Sequence, residues 1–400
     1  MLLIAIDRTD ADQEGFSKAK NTIRYLNRLN LGIKVDKENH LTVLCLFVDF
    51  EKAFDSVWKK GLIMKLYNIV VRGNVLKLID NFLVTRKVKL NINGFEGNQR
   101  QSADYGLPQG SVLSPVLFKI FVSDFVSELN GRKDIVIYKF ADDGTIKVTA
   151  KDSPTCLSTM NHVLLRLHAW TRKWRMKINC DRNKTEIICF NTSENNINLI
   201  PNQFKLGNET ILRVAQTKVL GLTIDEKLTY KAHSQAVLKR LYEVWSTLCK
   251  YASRNWGFNQ QVMLYLVKTL FLSVISYAGH IWMDDENVKE INKLWYHVIK
   301  SIIGAVFNIK QVIAEVILGV PPLLIQSRAN GIKHLLKLNF NNVPNDRYKE
   351  FLSTTLNDLY VKSSVIEKKF KEVFRFLHWK YENFPSNFTE TDYAIIAQDN

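Results

Sequence analysis

Hydrophobic positions along this chain change their spacing several times, and each change marks an element. Between residues 11 and 34 the chain is polar and basic, but Ile23, Leu26 and Leu29 recur at helical spacing, which predicts a helix with one buried stripe. The run TVLCLFVDF is almost continuously apolar, the pattern of a central strand covered on both faces. That strand delivers Asp49 at its end. From Lys60 to about Leu83 the residues Leu62, Ile63, Leu66, Ile69 and Val70 return to helical spacing. KVKLNINGFEG then alternates with period two into a glycine turn, predicting a hairpin.

GLPQGSVLSPVLFKIFVSDFVSEL begins as a Gly/Pro loop and becomes a helix with Leu113, Val116, Leu117, Ile120, Phe121 and Phe125 on one face. In IVIYKFADDGTIKVTA, β-branched and aromatic residues flank DDG, the strongest short-range hairpin signal in the chain. The expected hairpin tip carries Asp142 and Asp143. Residues 155–178 read as helix, EIICFN as a strand, and TKVLGLTIDEKL as one further strand that Gly221 allows to kink. Beyond about residue 228 strands give way to amphipathic helices, SQAVLKRLYEVWSTLCKYA and NQQVMLYLVKTLFLSVISYAGHIW. A domain boundary is expected there. The last 60 residues or so keep helical patterning through the basic, aromatic EKKFKEVFRFLHWKY and end in a polar tail. There is no internal repeat.

At 400 residues, 46% hydrophobic and 24% charged, the chain can build two or three cored domains. Its formal net charge of +16 and pI near 9.4 point to a polyanionic partner such as nucleic acid. Cys45, Cys156, Cys180, Cys189 and Cys249 form no CxxC pair, which fits a reducing compartment and argues against a zinc site. MLLIAI is stopped by Asp7, so no secretory signal is expected. The run from Thr269 to Met283 is shorter than the roughly 18 residues of a spanning helix and includes His280. An intracellular protein, nuclear or cytoplasmic, with no membrane partner is expected.

Two adjacent carboxylates at a hairpin tip repel each other and resist burial, so a shared proton, a basic neighbour or metal ions must neutralise them. Oxygen-only ligation suits Mg²⁺. If the strand ending in Asp49 lies beside the hairpin, three acids converge, and such a set can hold two Mg²⁺ about 3.5–4 Å apart for in-line phosphoryl transfer. Asp55 and Asp152 read instead as helix-capping or turn acids. In GLPQGSVLSP, Gly106 and Gly110 permit close backbone approach, Pro108 stiffens the turn and Gln109 offers an amide to a base or sugar edge. Such a loop suits a flat ligand.

FVDFEKAFDSV, GLPQGSVLSPVLF, YKFADDGTIKV, INCDRNKTEIICF and KVLGLTID, in this order, resemble the palm of reverse transcriptases, specifically those of animal non-LTR retrotransposons of the I/jockey kind. The resemblance covers roughly residues 11–225, and ISYAGHIW with IIGAVFNIKQVIAEVILGVPPL resembles the helical thumb and downstream segment of such elements. It implies an α+β right-hand polymerase: partial fingers at 1–40, a palm with an antiparallel sheet at 41–228, a helical thumb and connection at 229–340, and a C-terminal extension at 341–400. The implied activity is RNA-directed DNA synthesis: extension of a primer 3′-hydroxyl with deoxynucleotides on an RNA template, assisted by two Mg²⁺.

Carried over residue by residue, the resemblance makes Asp49 and Asp142 the main metal ligands, the Phe50 carbonyl a further oxygen and Asp143 the second hairpin acid. It makes Phe54 the aromatic gate against a ribose 2′-hydroxyl, and Gln109, with Gly110 beside it, the loop next to the incoming nucleotide. Lys184 becomes the general acid that protonates the leaving pyrophosphate. VLGLTID resembles the hairpin that grips the primer end. The chain departs from the family at Gly15, Phe16 and Ser17, where an arginine usually follows the phenylalanine. Lys18 or Lys20 is the available substitute, without the planar guanidinium fork. Earlier fingers motifs and an endonuclease domain are not found, and the last 80 residues hold no acid cluster for an RNase H site, so an N-terminally truncated element product is expected.

Three rival readings stay open on sequence alone. The first is a catalytically inactive remnant that still binds nucleic acid, distinguished by salt-dependent binding without incorporation. The second is a related polymerase such as an intron-encoded maturase or telomerase. The third is an unrelated basic scaffold.

Overall fold

The computed structural model describes residues 13–17, 20–69, 71–84, 86–89, 91–97, 100–101, 104–125, 132–190, 199–251, 257–305 and 309–336. These divide into two compact units, one on each side of Leu228.

The first unit opens with α1 (Thr22–Glu38), started by Asn21, whose side chain accepts from the Arg24 amide at 2.9 Å, the ordinary N-cap bond. Strand β1 (Thr42–Val48) is buried at every position. The periodic stretch expected as one helix from Lys60 to Leu83 is instead two, α2 (Lys59–Asn68) and α3 (Gly73–Val84). The break falls where Gly73 takes φ +61°, a left-handed conformation that interrupts the helical ladder. Two nested short pairs follow: β2 (Lys87–Val88) with β5 (Arg100–Gln101), enclosing the hairpin of β3 (Asn91–Ile92) and β4 (Phe95–Glu96). Asn93 and Gly94 both have positive φ in its turn, as a two-residue hairpin loop demands.

After α4 (Leu113–Phe121) come β6 (Ile135–Phe140), β7 (Asp143–Ala150), α5 (Ser153–Trp174) and β8 (Glu186–Phe190). Asp152 caps α5 by accepting from the Thr155 amide at 2.8 Å. The unit closes with β9 (Gln203–Leu206), β10 (Glu209–Arg213), β11 (Gln216–Val219) and β12 (Leu222–Asp225). TKVLGLTIDEKL, expected from its spacing as one kinked strand, is the β11–β12 hairpin. Leu220 and Gly221 at its turn both have positive φ, so the glycine reverses the chain rather than bending it.

Six strands form one sheet in the order β6-β7-β1-β8-β10-β9. An antiparallel sheet was expected; the sheet is mixed, because β8 and β10 run parallel. A parallel pair needs a crossover in place of a hairpin, and here β9 lies in that crossover and pairs antiparallel with β10. Central β1 separates two cores by strand alternation. Leu44, Leu46 and Val48 join the large cluster with Cys156, Met160, Val163 and Leu167 of α5. Val43, Cys45 and Phe47, equally buried, lie outside that cluster, and α1 packs against β1 and β6.

The second unit is helical: α6 (Lys231–Cys249), α7 (Gln260–Leu266), α8 (Leu272–Ser276), α9 (Gly279–Trp282), α10 (Lys289–Ile303), α11 (Gln311–Leu318) and α12 (Leu323–Leu336). The stretch expected as one helix from Asn259 to Trp282 is broken twice. Val267–Phe271 is a π-helical turn, and Ala278 takes φ +50°. Phe271 and Trp282 stay buried across these breaks, and Phe271 stacks on Trp295 of α10 with ring centroids 5.9 Å apart. Among the described residues no single helix is long and apolar enough to cross a membrane. EKKFKEVFRFLHWKY and the rest of the expected extension lie outside the described residues.

Candidate active site

The β1–β7 register ends with Val48 opposite Gly144, so the next residues, Asp49 and Asp143, stand side by side at the same end of the sheet. In the β6–β7 hairpin Phe140 pairs with Asp143, leaving Ala141 and Asp142 as the loop. This corrects the expectation that both acids occupy the tip: Asp142 does, whereas Asp143 begins a strand. The left-handed residue is Ala141, at φ +55°, in place of Gly144. Gly144 lies in the extended strand, where a Cβ would stand in van der Waals contact with the Phe125 ring at 3.4 Å.

The three carboxylates sense one another. Burial pushes the Asp143 carboxyl up to about 6, reinforced by Asp142 and Asp49 and opposed by Lys184. Burial also raises Asp142, with the Asp49 charge adding to it and a backbone hydrogen bond opposing. The Lys184 ammonium stands 3.7 Å from Asp49 Oδ2. Two residues of the same loop thus reach Asp49, because its amide also donates to Thr185 Oγ1 at 3.1 Å. Beneath this end of the sheet Tyr25 Oη and Thr145 Oγ1 share a hydrogen bond of 2.6 Å.

Among the described residues no three Asp, Glu, His or Cys side chains are grouped closely enough to enclose an ion by themselves. The donor set nonetheless fits a hard divalent cation. It is all oxygen, Asp142 and Asp143 are raised by burial and by neighbouring carboxylate charge, and Mg²⁺ completes its shell with carbonyl, water and substrate oxygens.

Around these acids the other expected residues fall in place differently. The Phe50 ring is buried, edge-on to Phe125 at 5.6 Å and tilted against Trp170 at 5.9 Å, so its side chain anchors the turn after β1. Phe54 stacks on Phe118 at 4.6 Å and makes an edge-to-face contact with Phe16 at 6.2 Å; it is half-buried. Gln109 donates to both oxygens of Asp55, at 3.1 and 3.3 Å. Asp55 therefore holds the loop from within the turn of residues 51–56 and caps no helix; the N-cap of α2 is Trp58, which makes no side-chain cap bond. Gly106, at φ +95°, faces the Asp55 carbonyl 3.2 Å from where a Cβ would stand, whereas Gly110, at φ +82°, faces open space.

Several residues of the site gave no sequence signal strong enough to single them out. Gln13 is fully buried: its Oε1 accepts from the Ala141 amide at 2.8 Å and the Gly15 amide at 2.9 Å, and its Nε2 donates to the Ala141 carbonyl at 3.2 Å. Glu14 pairs with Arg24 at 3.1 Å and Arg28 at 2.7 Å. Lys20, weighed as a stand-in for the missing arginine, turns inward to donate to the Gln13 carbonyl at 3.0 Å, and burial lowers its affinity for a proton. Lys18 lies outside the described residues. The cation at Ser17 is instead Lys119, donating to its hydroxyl at 3.0 Å. Glu186 accepts from Thr217 Oγ1 at 2.6 Å and from the Asn183 amide at 3.1 Å, tying the Lys184 loop to β11. A charged residue within an apolar run, such as Lys119 in VLFKIF, was the one available hint.

The family of reverse transcriptases (RNA-dependent DNA polymerases) matches residues 3–224, more than half of the chain. The chain belongs to this family. Among curated relatives, this reverse-transcriptase chain is 29% identical over 228 residues to the RNA-directed DNA polymerase from mobile element jockey of Drosophila melanogaster, covering 55% of this chain and 24% of that protein. It is 25% identical to the probable RNA-directed DNA polymerase from transposon BS of the same fly, covering 58% and 25%. Similarity to the probable RNA-directed DNA polymerase from transposon X-element, also of Drosophila melanogaster, extends over 307 residues at 24% identity, covering 74% and 32%. The chain spans about a quarter to a third of the length of these relatives. Of solved structures, apo telomerase from Candida tropicalis is similar with a TM-score of 0.40 at 12% identity, covering 88% of this chain and 60% of that one.

Proposed function

We propose that this chain is the RNA-directed DNA polymerase portion of a non-LTR retrotransposon product, extending a DNA primer on an RNA template with deoxynucleoside triphosphates. The observation that carries the reading is the register that sets Asp49 beside Asp143, with Asp142 at the adjoining tip and Lys184 3.7 Å from Asp49. In this reading residues 41–228 are the palm, 1–40 part of the fingers, 229–340 the thumb and connection, and 341–400 a C-terminal extension. The protein would work inside the cell, in nucleus or cytoplasm, where RNA and chromosomal DNA are accessible.

Asp49, Asp142 and Asp143, with the Phe50 carbonyl, would hold two Mg²⁺, which supply charge neutralisation at the attacking and leaving oxygens. The protein's own share is positioning and proton supply. Phe54 offers its ring to the sugar of the incoming nucleotide, where a 2′-hydroxyl would collide with it. Gln109 and Gly110, braced on Asp55, border the base and sugar. Lys184, half-exposed and cationic, donates a proton to the departing pyrophosphate, in place of the ion pair it keeps with Asp49 beforehand. The β11–β12 hairpin, tied to the Lys184 loop through Glu186, would hold the primer end.

Primer extension on an RNA template annealed to a DNA primer tests the reading, with Asp142→Asn alongside. Incorporation by the native chain that the variant loses, with hybrid binding retained by both, supports it. Salt-dependent binding of the hybrid without incorporation by the native chain would mean a nucleic-acid-binding remnant.

A further inference from the structure

The Ala141–Asp142 loop has a fault that its own sequence does not repair. Alanine is held at φ +55°, a conformation that L-residues with a Cβ seldom adopt unless their surroundings impose it. The β6–β7 ladder, closing at Phe140 and Asp143 around a two-residue loop, calls for a left-handed residue at this position, one that glycine or asparagine would supply at less cost than alanine. A second restraint comes from far away in the chain. The Gln13 side-chain amide, fully buried, satisfies both polar groups of Ala141, donating to its carbonyl at 3.2 Å and accepting from its amide at 2.8 Å. Gln13 itself is fixed by a parallel bridge to Lys139, by the Glu14 amide donating to the Lys139 carbonyl at 2.8 Å, and by the Gly15 amide donating to its Oε1 at 2.9 Å. Lys20 and Ser17 donate to its carbonyl. Gly15 completes the clamp by contact: a Cβ there would stand 2.2 Å from the Ala141 nitrogen.

We propose that Gln13 is a positioning residue for the carboxylate pair, holding the peptide before Asp142 in its left-handed conformation so that Asp142 and Asp143 meet Asp49. The inference rests on the polymerase reading of those acids. A primary amide of this length offers one donor and one acceptor side by side at any pH, as an ionised carboxylate cannot. Glutamate, of the same shape, keeps the acceptor and loses the donor to the Ala141 carbonyl. Methionine keeps volume and loses both. Gln13 touches neither substrate nor metal in this role, so its loss acts through the placement of the acids.

The test uses the full chain and Mn²⁺ as the probe, with bound metal read by electron paramagnetic resonance in the absence of nucleotide. In Gln13→Met and Gln13→Glu the Mn²⁺ dissociation constant is expected to rise about tenfold or more, the consequence of one lost hydrogen bond in a buried setting. The metal concentration for half-maximal primer extension should rise in step, and excess metal should restore the rate. Affinity for the RNA–DNA hybrid should stay at the native value. Should Gln13→Met fail to fold, the near-isosteric Gln13→Glu decides the matter alone. Native Mn²⁺ affinity and native metal requirement in a folded Gln13→Glu variant would overturn the role of Gln13 while leaving the polymerase reading intact. Absence of Mn²⁺ binding and of extension by the native chain would overturn both.

Discussion

The Lys184 ammonium lies 3.7 Å from the Asp49 carboxylate, and its charge also opposes the rise in proton affinity that burial, Asp142 and Asp49 impose on Asp143. One cation thus serves two of the three acids. Lys184→Ala should move the Asp143 titration of the metal-free protein upward, followed by carboxyl carbon shifts, and lower single-turnover extension about 10²-fold or more if a general acid is lost. Lys184→Arg should return the Asp143 titration toward its native position without restoring the rate, because a guanidinium stays protonated. A rate restored by arginine would show that charge alone is what Lys184 contributes.

A raised carboxyl opposes folding once it must ionise. Asp143 holds its proton in the native state up to about 6, whereas an unfolded aspartate releases it near 4. Between those values the native state binds more protons, so this group's contribution to stability is full below pH 4 and is lost as pH rises through 6. Asp143→Asn should therefore melt higher than the native chain at neutral pH without metal, by up to ~3 kcal/mol. The difference should vanish at pH 4 and shrink when Mg²⁺ is added. Equal melting of the two proteins at both pH values would place Asp143 in water.

Phe54 is held flat on Phe118 and perpendicular to Phe16. Phe54→Val should raise ribonucleotide incorporation relative to deoxynucleotide about tenfold, the discrimination that a modest change of pocket volume carries. It should also lower stability by ~1 kcal/mol through the lost ring contacts. Reduced stability with unchanged sugar selectivity would leave Phe54 as a packing residue.

Lys65 is buried beside Asp124, with Trp174 at 3.7 Å and Phe121 at 4.7 Å from its nitrogen, and burial brings its ammonium down to about 8. The native state gives up this proton before the unfolded chain does, so stability should increase as pH rises from 8 toward 10.5, by up to ~3 kcal/mol. Lys65→Met should abolish that increase, read from urea melts across the range. An identical pH dependence in the variant would mean the ammonium is well solvated.

Much of this architecture was legible along the chain because its signals are local. The apolar run of β1 states its own burial, Asn93–Gly94 states its own turn, and Asp152 states its own cap. The acids could be named from their neighbours in FVDF and FADD. Signals failed where two readings share one pattern. Alternation through Gly221 suits one strand or two, and apolar periodicity from Asn259 to Trp282 suits a continuous helix or a broken one. Asp55 read as a cap or a turn acid and lies in a turn, but its hold on the loop was hidden because its partner, Gln109, is remote in sequence.

What the sequence determined by itself is therefore local: the β1 run, the Asn93–Gly94 turn, the Asp152 cap, the candidate acids and the resemblance to reverse transcriptases, since each depends on residues adjacent in the chain. Only the tertiary structure decided that Asp143 belongs to a strand, that β8 and β10 run parallel, and that Gln13, more than a hundred residues from the hairpin, holds Ala141 in its left-handed turn. Strand register and the partners of a buried amide are set by which surfaces pack together. No local window of sequence carries that information.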